Sequence, residues 1–169
     1  SRHIISEDQH IEALSCDVTN YDELSDTLKE WTRKRGVPDL VVNSAGVTYP
    51  DYFQNLELET FHWLMDVNYF GTLHVIYCLI PMMIERGSGT IVNICSQAGF
   101  VGVFGYSGYS ASKYAVRGLS DVLRAEMKPH GIKIAIVFPP DTQTPQLEFE
   151  EPLKPKETRA IAGSTKTLT

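Results

Sequence analysis

The stretch TIVNICSQAGFVGVFGYSGYSASKYAV, residues 90–116, contains an apolar run, a glycine-rich loop and the beginning of a helix. Thr90 to Ile94 is apolar and rich in β-branched side chains, which is typical of a strand that is covered on both faces. The loop runs from Gly99 to Gly108, and the helix after it ends between Met127 and Gly131. The stretch therefore predicts one strand–loop–helix unit of an α/β protein.

The same alternation of strand and helix recurs along the chain. Asn20 caps a predicted helix, with Glu23 completing a capping box, and a longer helix is predicted from about Glu57 to Glu85. Strands are predicted at Ile11 to Cys16, Leu40 to Val42, Thr90 to Ile94, and Ile132 to Phe138. This order is typical of parallel βαβ units. We predict an α/β fold in a single domain over residues 1–169, with a Rossmann-type doubly wound parallel sheet and helices on both faces.

Composition and charge exclude several classes of function. The 169 residues are 43% hydrophobic and carry 15 Lys and Arg against 21 Asp and Glu, for a net charge of -6. A nucleic-acid partner is not expected, because phosphate contacts need clustered cations and the sequence has none. The three cysteines, Cys16, Cys78 and Cys95, form no C-x-x-C pair. We therefore expect neither a disulfide framework nor a metal site.

One segment requires a test for membrane insertion. Val67 to Ile84 is 18 residues long without a formal charge, which approaches the length of a spanning helix. It contains Asn68, His74 and Pro81, and these residues fit a buried helix better than a membrane span. A buried helix is predicted, and a membrane helix remains the alternative.

Unusual residues follow four predicted strands at the point where each strand ends. Asp17-Val18 follows the first, Asn43-Ser44-Ala45-Gly46 the second, Ser96 the third, and Pro139 to Thr144 the fourth. In a doubly wound sheet, ligands bind beyond the carboxyl ends of the strands. The small residues at 43–46 would let a ligand approach the backbone, although a simple tight turn is an alternative explanation.

Tyr109 and Lys113 are four residues apart on the predicted helix, which places both side chains on one face. A free phenol has a pKa near 10, and a neighbouring ammonium group favours the phenolate and lowers that pKa. Tyr109 could then donate a proton to a carbonyl oxygen near neutral pH. A surface Tyr stacked on a Lys stem is the alternative that this spacing alone leaves open.

Two further polar residues bear on the same chemistry. Ser96 lies at a strand end, where its hydroxyl can point at the carbonyl that Tyr109 would protonate. Asn68 lies inside a long helix, where a buried amide needs hydrogen-bond partners. A satisfied core amide is the alternative explanation for Asn68.

Taken together, these motifs resemble the short-chain dehydrogenase/reductase family over about residues 11 to 146. The resemblance rests on their order and spacing, including the run Tyr109-Ser-Ala-Ser-Lys113. It implies an NADP-dependent oxidoreductase without a metal ion. It also implies four catalytic residues, which carry over to Asn68, Ser96, Tyr109 and Lys113. In that family Asn68 would hold a water that links Lys113 to solvent.

The resemblance also implies which residues bind NADPH. Lys113 would hold the nicotinamide ribose, and Tyr109 would lie beside it. The other expected cofactor contacts are Asp17 and Val18 at the adenine, Asn43, Ala45 and Gly46 at the adenosine ribose and backbone, Pro139 beside the nicotinamide, and Thr142 and Thr144 at its carboxamide. The family's glycine-rich phosphate-binding turn and its NADP-selecting strand do not occur in this sequence. We therefore expect a Rossmann sheet that is incomplete at both ends in this chain.

Within the family, the sequence resembles one branch, the 3-ketodihydrosphingosine reductases, and particularly their fungal forms. Pro139-Pro140 replaces the Pro-Gly that most family members have. The further segments that match the branch are Phe138 to Pro145, Ser96 to Gly99, Phe104-Gly105, and Lys154 to Arg159. The branch implies NADPH-dependent reduction of a long-chain sphingoid ketone in sphingolipid biosynthesis. Residues 146–165 would form a mobile substrate loop.

The branch also implies a cellular setting and an assembly. The expected setting is the cytosolic face of the endoplasmic reticulum membrane, reached through segments outside this chain. The expected assembly is a homodimer or homotetramer. Other readings stay open at this point. The same residues would serve a steroid, a retinoid or a 3-oxoacyl thioester, and a cofactor-binding module without turnover is the alternative from a different class.

Overall fold

The fold is built on a parallel sheet, seen in a computed structural model that describes residues 9–162. Within those residues the strands are β1 (Leu40–Asn43), β2 (Gly89–Ile94) and β3 (Ile132–Val137), in the order β1-β2-β3. The helices are α1 (Tyr21–Arg35), α2 (Leu58–Met65), α3 (Gly71–Arg86), α4 (Ser107–Met127), α5 (Pro145–Glu150) and α6 (Lys156–Ala162). The predicted α/β fold, with a parallel sheet flanked by helices, is confirmed.

The register of the sheet brings the carboxyl ends of its strands together. Asn43 of β1 lies beside Asn93 of β2, and Ile94 of β2 lies beside Val137 of β3. Helices α2 and α3 connect β1 to β2, and α4 connects β2 to β3, as parallel strands require. The loops at 44–50, 95–106 and 138–144 therefore leave the sheet at one edge.

The main core lies between one face of the sheet and helices α3 and α4. Its buried members are Ile76, Met83, Ile91, Ile132 and Ile134. Side chains alternate between the faces of a strand, and the residues of the other face are less covered. On that face Leu40, Val42 and Val137 are 56%, 53% and 42% exposed. The described residues thus bury one face of the sheet well and leave apolar area on the other.

The predicted strand at Ile11 to Cys16 is wrong, because residues 9–16 have no strand structure. A strand needs a neighbour to complete its backbone hydrogen bonds, and this segment pairs with no strand among the described residues. Ile11 and Leu14 are exposed accordingly. The apolar run therefore predicted a strand, but among the described residues no neighbouring strand is present to pair with it.

The long helix begins and ends close to the predicted residues, but its interior contains an irregular turn that was not predicted. It runs from Leu58 to Arg86 and ends at Gly87, which adopts a left-handed conformation with φ 73°. A five-residue π-helical turn, Asp66–Phe70, separates α2 from α3. Such turns insert one residue into the helix and change which side chains face inward. This turn carries Asn68 into the interior.

The segment Leu58–Arg86 is long and apolar enough to cross a membrane, with a mean hydropathy of 1.5 in its most apolar 18-residue window. One third of that window is buried in the protein. The side chains of Ile76, Leu79 and Met83 are buried, and Ile76 and Met83 belong to the core beneath the sheet. Core helices pass the same length and composition test, so this segment is weak evidence for a span.

Residues after β3 are more regular than predicted. We expected a mobile substrate loop over residues 146–165, whereas α5 and α6 form two short helices joined by a 3-10 turn at Glu151–Leu153. Thr144 caps α5 by accepting a hydrogen bond from the Leu147 amide at 3.3 Å. Residues 163–165 of the predicted substrate loop lie outside the described residues.

The turn before β3 packs directly against the turn before β2. Gly131 has φ 74°, and a Cβ placed on it would overlap the carbonyl oxygen of Gly87. Gly87 itself has φ 73° and ψ 16°, close to the φ 74° and ψ 11° of Gly131, but a Cβ on Gly87 would meet nothing within 4 Å. The two glycines therefore share one left-handed conformation and differ in their surroundings.

We expect Gly131→Ala to lower the free energy of unfolding by about 3 kcal/mol and Gly87→Ala by about 1 kcal/mol. The left-handed backbone penalises alanine in both variants, and only Gly131→Ala adds a steric overlap. Chemical denaturation of the two purified variants measures the difference. Equal losses would contradict close packing of the two turns.

Candidate active site

A cleft of about 710 Å³ lies at the carboxyl ends of the strands. Seven of the predicted site residues line this cleft: Gly46, Ser96, Tyr109, Lys113, Pro139, Thr142 and Thr144. These residues come from four separate loops and helices. The sequence prediction that their side chains lie together beyond the strand ends thus agrees with the geometry.

Tyr109 and Lys113 lie on the first two turns of α4, and both side chains are buried. The Lys113 Nζ is 5.6 Å from the centre of the Tyr109 ring and donates a hydrogen bond to the Ile94 carbonyl at 3.3 Å. The pair is therefore a feature of the cleft and not a surface stack. Burial lowers the pKa of Lys113, because an ammonium loses hydration there.

The prediction that Lys113 lowers the pKa of Tyr109 is wrong for this state of the protein. Burial raises the pKa of Tyr109 to about 12, because a phenolate is poorly solvated in the cleft. The Ser96 hydroxyl opposes this shift by hydrogen bonding to the phenol, and it is the largest influence that lowers the pKa. At neutral pH Tyr109 is therefore a protonated donor.

Ser96 is held beside Tyr109 by the loop after β2. Its hydroxyl accepts a hydrogen bond from the Ala98 amide at 3.1 Å, which caps the 3-10 turn Gln97–Gly99. The neighbouring Cys95 thiol donates to the Lys113 carbonyl at 3.3 Å and ties this loop to α4. Two short contacts thus fix the Ser96 hydroxyl relative to the helix that carries Tyr109 and Lys113.

Asn68 lies beneath the cleft and is fully buried. Its Oδ1 accepts from the Val47 amide at 2.8 Å, and its Nδ2 donates to the Val47 carbonyl at 3.0 Å and to the Ser112 hydroxyl at 2.9 Å. The amide is thus a satisfied core amide, the alternative that the sequence left open. Its side chain connects the loop after β1 with α4.

The backbone at Gly46 passes close above Asn68. A Cβ on Gly46 would lie 3.2 Å from the Asn68 Oδ1 and 3.4 Å from the Lys113 Nζ. A larger residue would therefore press into the floor of the cleft beside Lys113. The geometry leaves this part of the backbone accessible to a flat group lying against it.

Four predicted cofactor contacts do not line the cleft. Asn43 is buried and donates to the Asn93 Oδ1 at 2.8 Å, so its side chain belongs to the interior. Asp17 is exposed and accepts from the Thr19 amide and hydroxyl, each at 2.8 Å, and these hydrogen bonds lower the pKa of its carboxyl. Val18 contacts α3 at Gly71, and Ala45 is exposed.

The threonines after β3 line the cleft with hydroxyls that already have partners. Thr142 donates to the Pro140 carbonyl at 2.9 Å, and Thr144 caps α5. Both oxygens keep further capacity to accept hydrogen bonds. Pro139 lies on the wall without a backbone donor.

The sequence analysis missed a second group of polar residues on the cleft wall. Tyr106, Glu150 and Lys154 are buried there, and Asp141 and Gln146 accompany them. The i, i+4 spacing of Glu150 and Lys154 is visible in the sequence. Nothing local shows that the pair is buried, since that depends on how the last helices fold back on the cleft.

The cleft has the residues to hold the nicotinamide end of a dinucleotide. The close backbone at Gly46, the buried Lys113 ammonium and the Tyr109 and Ser96 hydroxyls fit a ribose and a reacting carbonyl. No group of three or more His, Cys, Asp or Glu side chains that could hold a metal ion occurs among residues 9–162.

Comparison with known proteins agrees with this arrangement. The sequence model of the family described as short chain dehydrogenase matches residues 2–153. The chain belongs to this family. Within the short-chain dehydrogenases, the 3-ketodihydrosphingosine reductase of Bos taurus is 39% identical over 165 residues, covering 97% of this chain and 50% of that protein.

The enzyme of the same name from Dictyostelium discoideum is 43% identical over 162 residues and covers 94% of this chain and 48% of that protein. The chain thus spans about half the length of these curated short-chain dehydrogenase relatives. Among solved structures, a gluconate 5-dehydrogenase from Burkholderia cenocepacia, in complex with NADP and tartrate, has a TM-score of 0.77 and 29% identity. That similarity covers 79% of this chain and 52% of the other.

The buried ammonium of Lys113 costs free energy in the folded protein. The pKa of Lys113 is lowered in the folded protein. The full cost is therefore present at any pH below that lowered pKa, and it disappears as the pH rises toward the ordinary lysine pKa of 10.5. We expect Lys113→Met to be more stable than wild type at pH 7, by about 1 kcal/mol or more, since methionine fills the space without a charge.

The measurement is chemical denaturation at pH 7 and pH 10, where the advantage of Lys113→Met should shrink. Lys29→Met, which removes an exposed ammonium on α1, is the control and should change stability by less than about 0.5 kcal/mol. A Lys113→Met variant that is clearly less stable than wild type at pH 7 contradicts the argument.

Proposed function

We propose that the protein reduces 3-ketodihydrosphingosine to dihydrosphingosine with NADPH, as a step of sphingolipid biosynthesis. The observation that carries the proposal is the joint position of Tyr109, Ser96 and Lys113 on one cleft. The names of the relatives at 39% and 43% identity supply the substrate class. The NADP in the gluconate 5-dehydrogenase structure supports the choice of cofactor.

The reaction adds a hydride and a proton to a ketone. NADPH, when bound, supplies the hydride to the carbonyl carbon. Negative charge then develops on the ketone oxygen. Tyr109 donates its phenolic proton to that oxygen, and the Ser96 hydroxyl donates a hydrogen bond to it. The raised pKa of Tyr109 keeps the proton in place until this charge develops.

Lys113 and Asn68 act on the other groups of the site. The Lys113 ammonium would bind the hydroxyls of the nicotinamide ribose. The Ser96 hydroxyl, the largest influence that lowers the Tyr109 pKa, would stabilise the phenolate after proton transfer. Because the Asn68 side chain is occupied by Val47 and Ser112, we assign it a positioning role in holding α4 against the loop after β1. Reprotonation of Tyr109 would then pass along Lys113 toward solvent.

The remaining cofactor contacts belong to the same proposal. Gly46 and Ala45 would face the adenosine ribose, with Asn43 supporting their loop from below. Asp17 and Val18 would border the adenine. Thr142, Thr144 and Pro139 would surround the nicotinamide carboxamide.

The segment at residues 146–165 would cover a bound substrate. In its described part, the Tyr52 hydroxyl donates to the Glu157 Oε2 at 2.8 Å, and the Thr158 hydroxyl donates to the Phe104 carbonyl at 2.7 Å. These contacts fasten α6 to the loops on the cleft rim. A substrate loop must release and remake such contacts as the lipid enters and leaves.

The proposal includes a place and an assembly for the protein. We place it on the cytosolic face of the endoplasmic reticulum membrane, because its substrate is a lipid and its relatives carry the name of a sphingolipid enzyme. We also propose a homodimer or homotetramer through the outer faces of α3 and α4. Tyr77, Tyr114 and Val122 leave apolar area exposed there.

The activity test follows the loss of NADPH absorbance by the intact protein in detergent with 3-ketodihydrosphingosine, with NADH alongside. Rapid loss with NADPH and little with NADH supports substrate and cofactor together. Turnover of a steroid, a retinoid or a 3-oxoacyl thioester, without turnover of this ketone, would keep the residue roles and overturn the substrate. Tight NADPH binding without turnover of any ketone would indicate a non-catalytic module.

We expect Tyr109→Phe to lower kcat/KM about 1000-fold, because the ketone oxygen loses its proton donor. Circular dichroism and NADPH binding should stay near wild type. Tyr114→Phe is the matched control on the same helix, since its exposed hydroxyl donates only to the Phe100 carbonyl at 2.8 Å. Wild-type rates in Tyr109→Phe would remove Tyr109 from its role.

Light scattering of the intact protein should give a mass of at least two copies. Val122→Glu should shift the population toward single copies, because it places a charge on the exposed face of α4. A single-copy mass for the wild type over the accessible concentration range would overturn the proposed assembly.

A further inference from the structure

A buried carboxyl group on the cleft wall is not used by the proposed chemistry. Glu150 is 7% exposed and lines the same cleft as Tyr109. Charged residues are almost never buried to this extent without a partner. The nearest cation is Lys154, itself 5% exposed, and its Nζ lies 3.5 Å from the Glu150 Oε1.

The Glu150–Lys154 pair is loose because Lys154 has a closer partner. The Lys154 Nζ donates to the Glu151 Oε2 at 2.7 Å, and the Glu151 carboxylate is more than half exposed. The charged side chains on the cleft wall are Asp141 and Glu150 against Lys113 and Lys154. Because Lys154 is shared with Glu151, which lies outside the wall, Glu150 is only partly compensated and can pair with one more cation.

The uncharged neighbours of Glu150 do not neutralise it. The Tyr106 phenol and the Thr48 hydroxyl lie beside the carboxyl and lower its pKa by hydrogen bonding, while burial raises the pKa by more. Thr48 is almost fully buried, and its hydroxyl makes no hydrogen bond of good geometry in the described part of the chain. The Glu150 carboxyl oxygens therefore keep capacity to accept further hydrogen bonds.

Glu150 lines the same cleft as Tyr109 and Tyr106, whose rings lie 5.8 Å apart. Its negative charge is one of the causes that raise the pKa of Tyr109 and of Tyr106. A ketone bound at Tyr109 would therefore share the cleft with the Glu150 carboxylate, and a cation on the carbon next to that ketone could pair with it.

We infer that Glu150 binds the protonated amine on the carbon adjacent to the ketone, and so selects 2-amino ketones over ketones without the amine. Lys154 and Glu151 position the carboxylate, and Thr48 and Tyr106 support it from the interior. This inference rests on the proposed function, because it assigns the recognition of one group of that substrate. A buried carboxylate that pairs with an entering ammonium gains a charge-assisted hydrogen bond.

An alternative use of Glu150 is purely structural, with the pair to Lys154 merely fastening α5 to the segment that leads into α6. The two uses differ in their response to the substrate. A structural carboxylate affects every ketone alike. A recognition carboxylate affects only the ketone that carries the amine.

The experiment measures kcat and KM of the intact protein for two ketones: 3-ketodihydrosphingosine and 1-hydroxyoctadecan-3-one, which lacks the amine. For Glu150→Gln we expect kcat/KM to fall about 30-fold on the amino ketone, mainly through KM, and less than about 3-fold on the other. Glu150→Asp should recover part of the preference. Glu59→Gln, the same change at an exposed position of α2, should leave both values unchanged.

Parallel losses on both ketones, or no loss on the amino ketone, would overturn the inference and leave the proposed function in place. A wild-type protein that reduces neither ketone would overturn both together. If Glu150→Gln does not fold, binding of two long-chain compounds to the wild-type protein is measured by isothermal titration calorimetry. Hexadecylamine should bind at least about tenfold more tightly than hexadecanol, and equal affinities would overturn the inference.

Discussion

The amide of Asn68 is the contact on which the geometry of the site depends. It joins three parts of the chain, because its two polar atoms bind the backbone of Val47 after β1 and the hydroxyl of Ser112 on α4, while its own backbone lies in the π-helical turn of the long helix. A buried amide that satisfies two distant segments resists displacement of either one. Gly46 above it and Lys113 beside it can therefore keep their spacing.

The cleft removes several ionisable side chains from water, which would otherwise stabilise their charged forms. Burial raises the pKa of Tyr109 and Glu150 and lowers that of Lys113, so each group is pushed toward its neutral form. Such shifts cost folding free energy and are a common property of reactive sites. The chain offsets part of this cost with hydrogen bonds from Ser96 and Thr48 and with the charge of Lys154.

Much of the fold could be predicted from local patterns, since β1, β2 and β3 are short β-branched runs bounded by Gly, Pro and polar residues. The position of Ser96, Tyr109 and Lys113 on one cleft follows from the rule that parallel strands end at one edge. Other features depend on distant parts of the chain. Ile11 to Cys16 forms no strand, because a strand needs a neighbouring strand to complete its hydrogen bonds. The π-helical turn disturbs the apolar periodicity of the long helix too little to be recognised. The burial of Glu150 requires α5 to fold back over the cleft.

The uneven covering of the sheet also affects how this polypeptide behaves outside its native setting. Leu40 and Val42 on β1 and Val137 on β3 present apolar side chains on the same face of the sheet, and β1 is an edge strand with unpaired backbone groups among the described residues. Such a surface is adhesive in water, because it can gain both hydrophobic contact and strand pairing from any similar surface. Recombinant material limited to these residues would be prone to self-association and chaperone capture, whereas a covering layer over this face would remove both hazards at once.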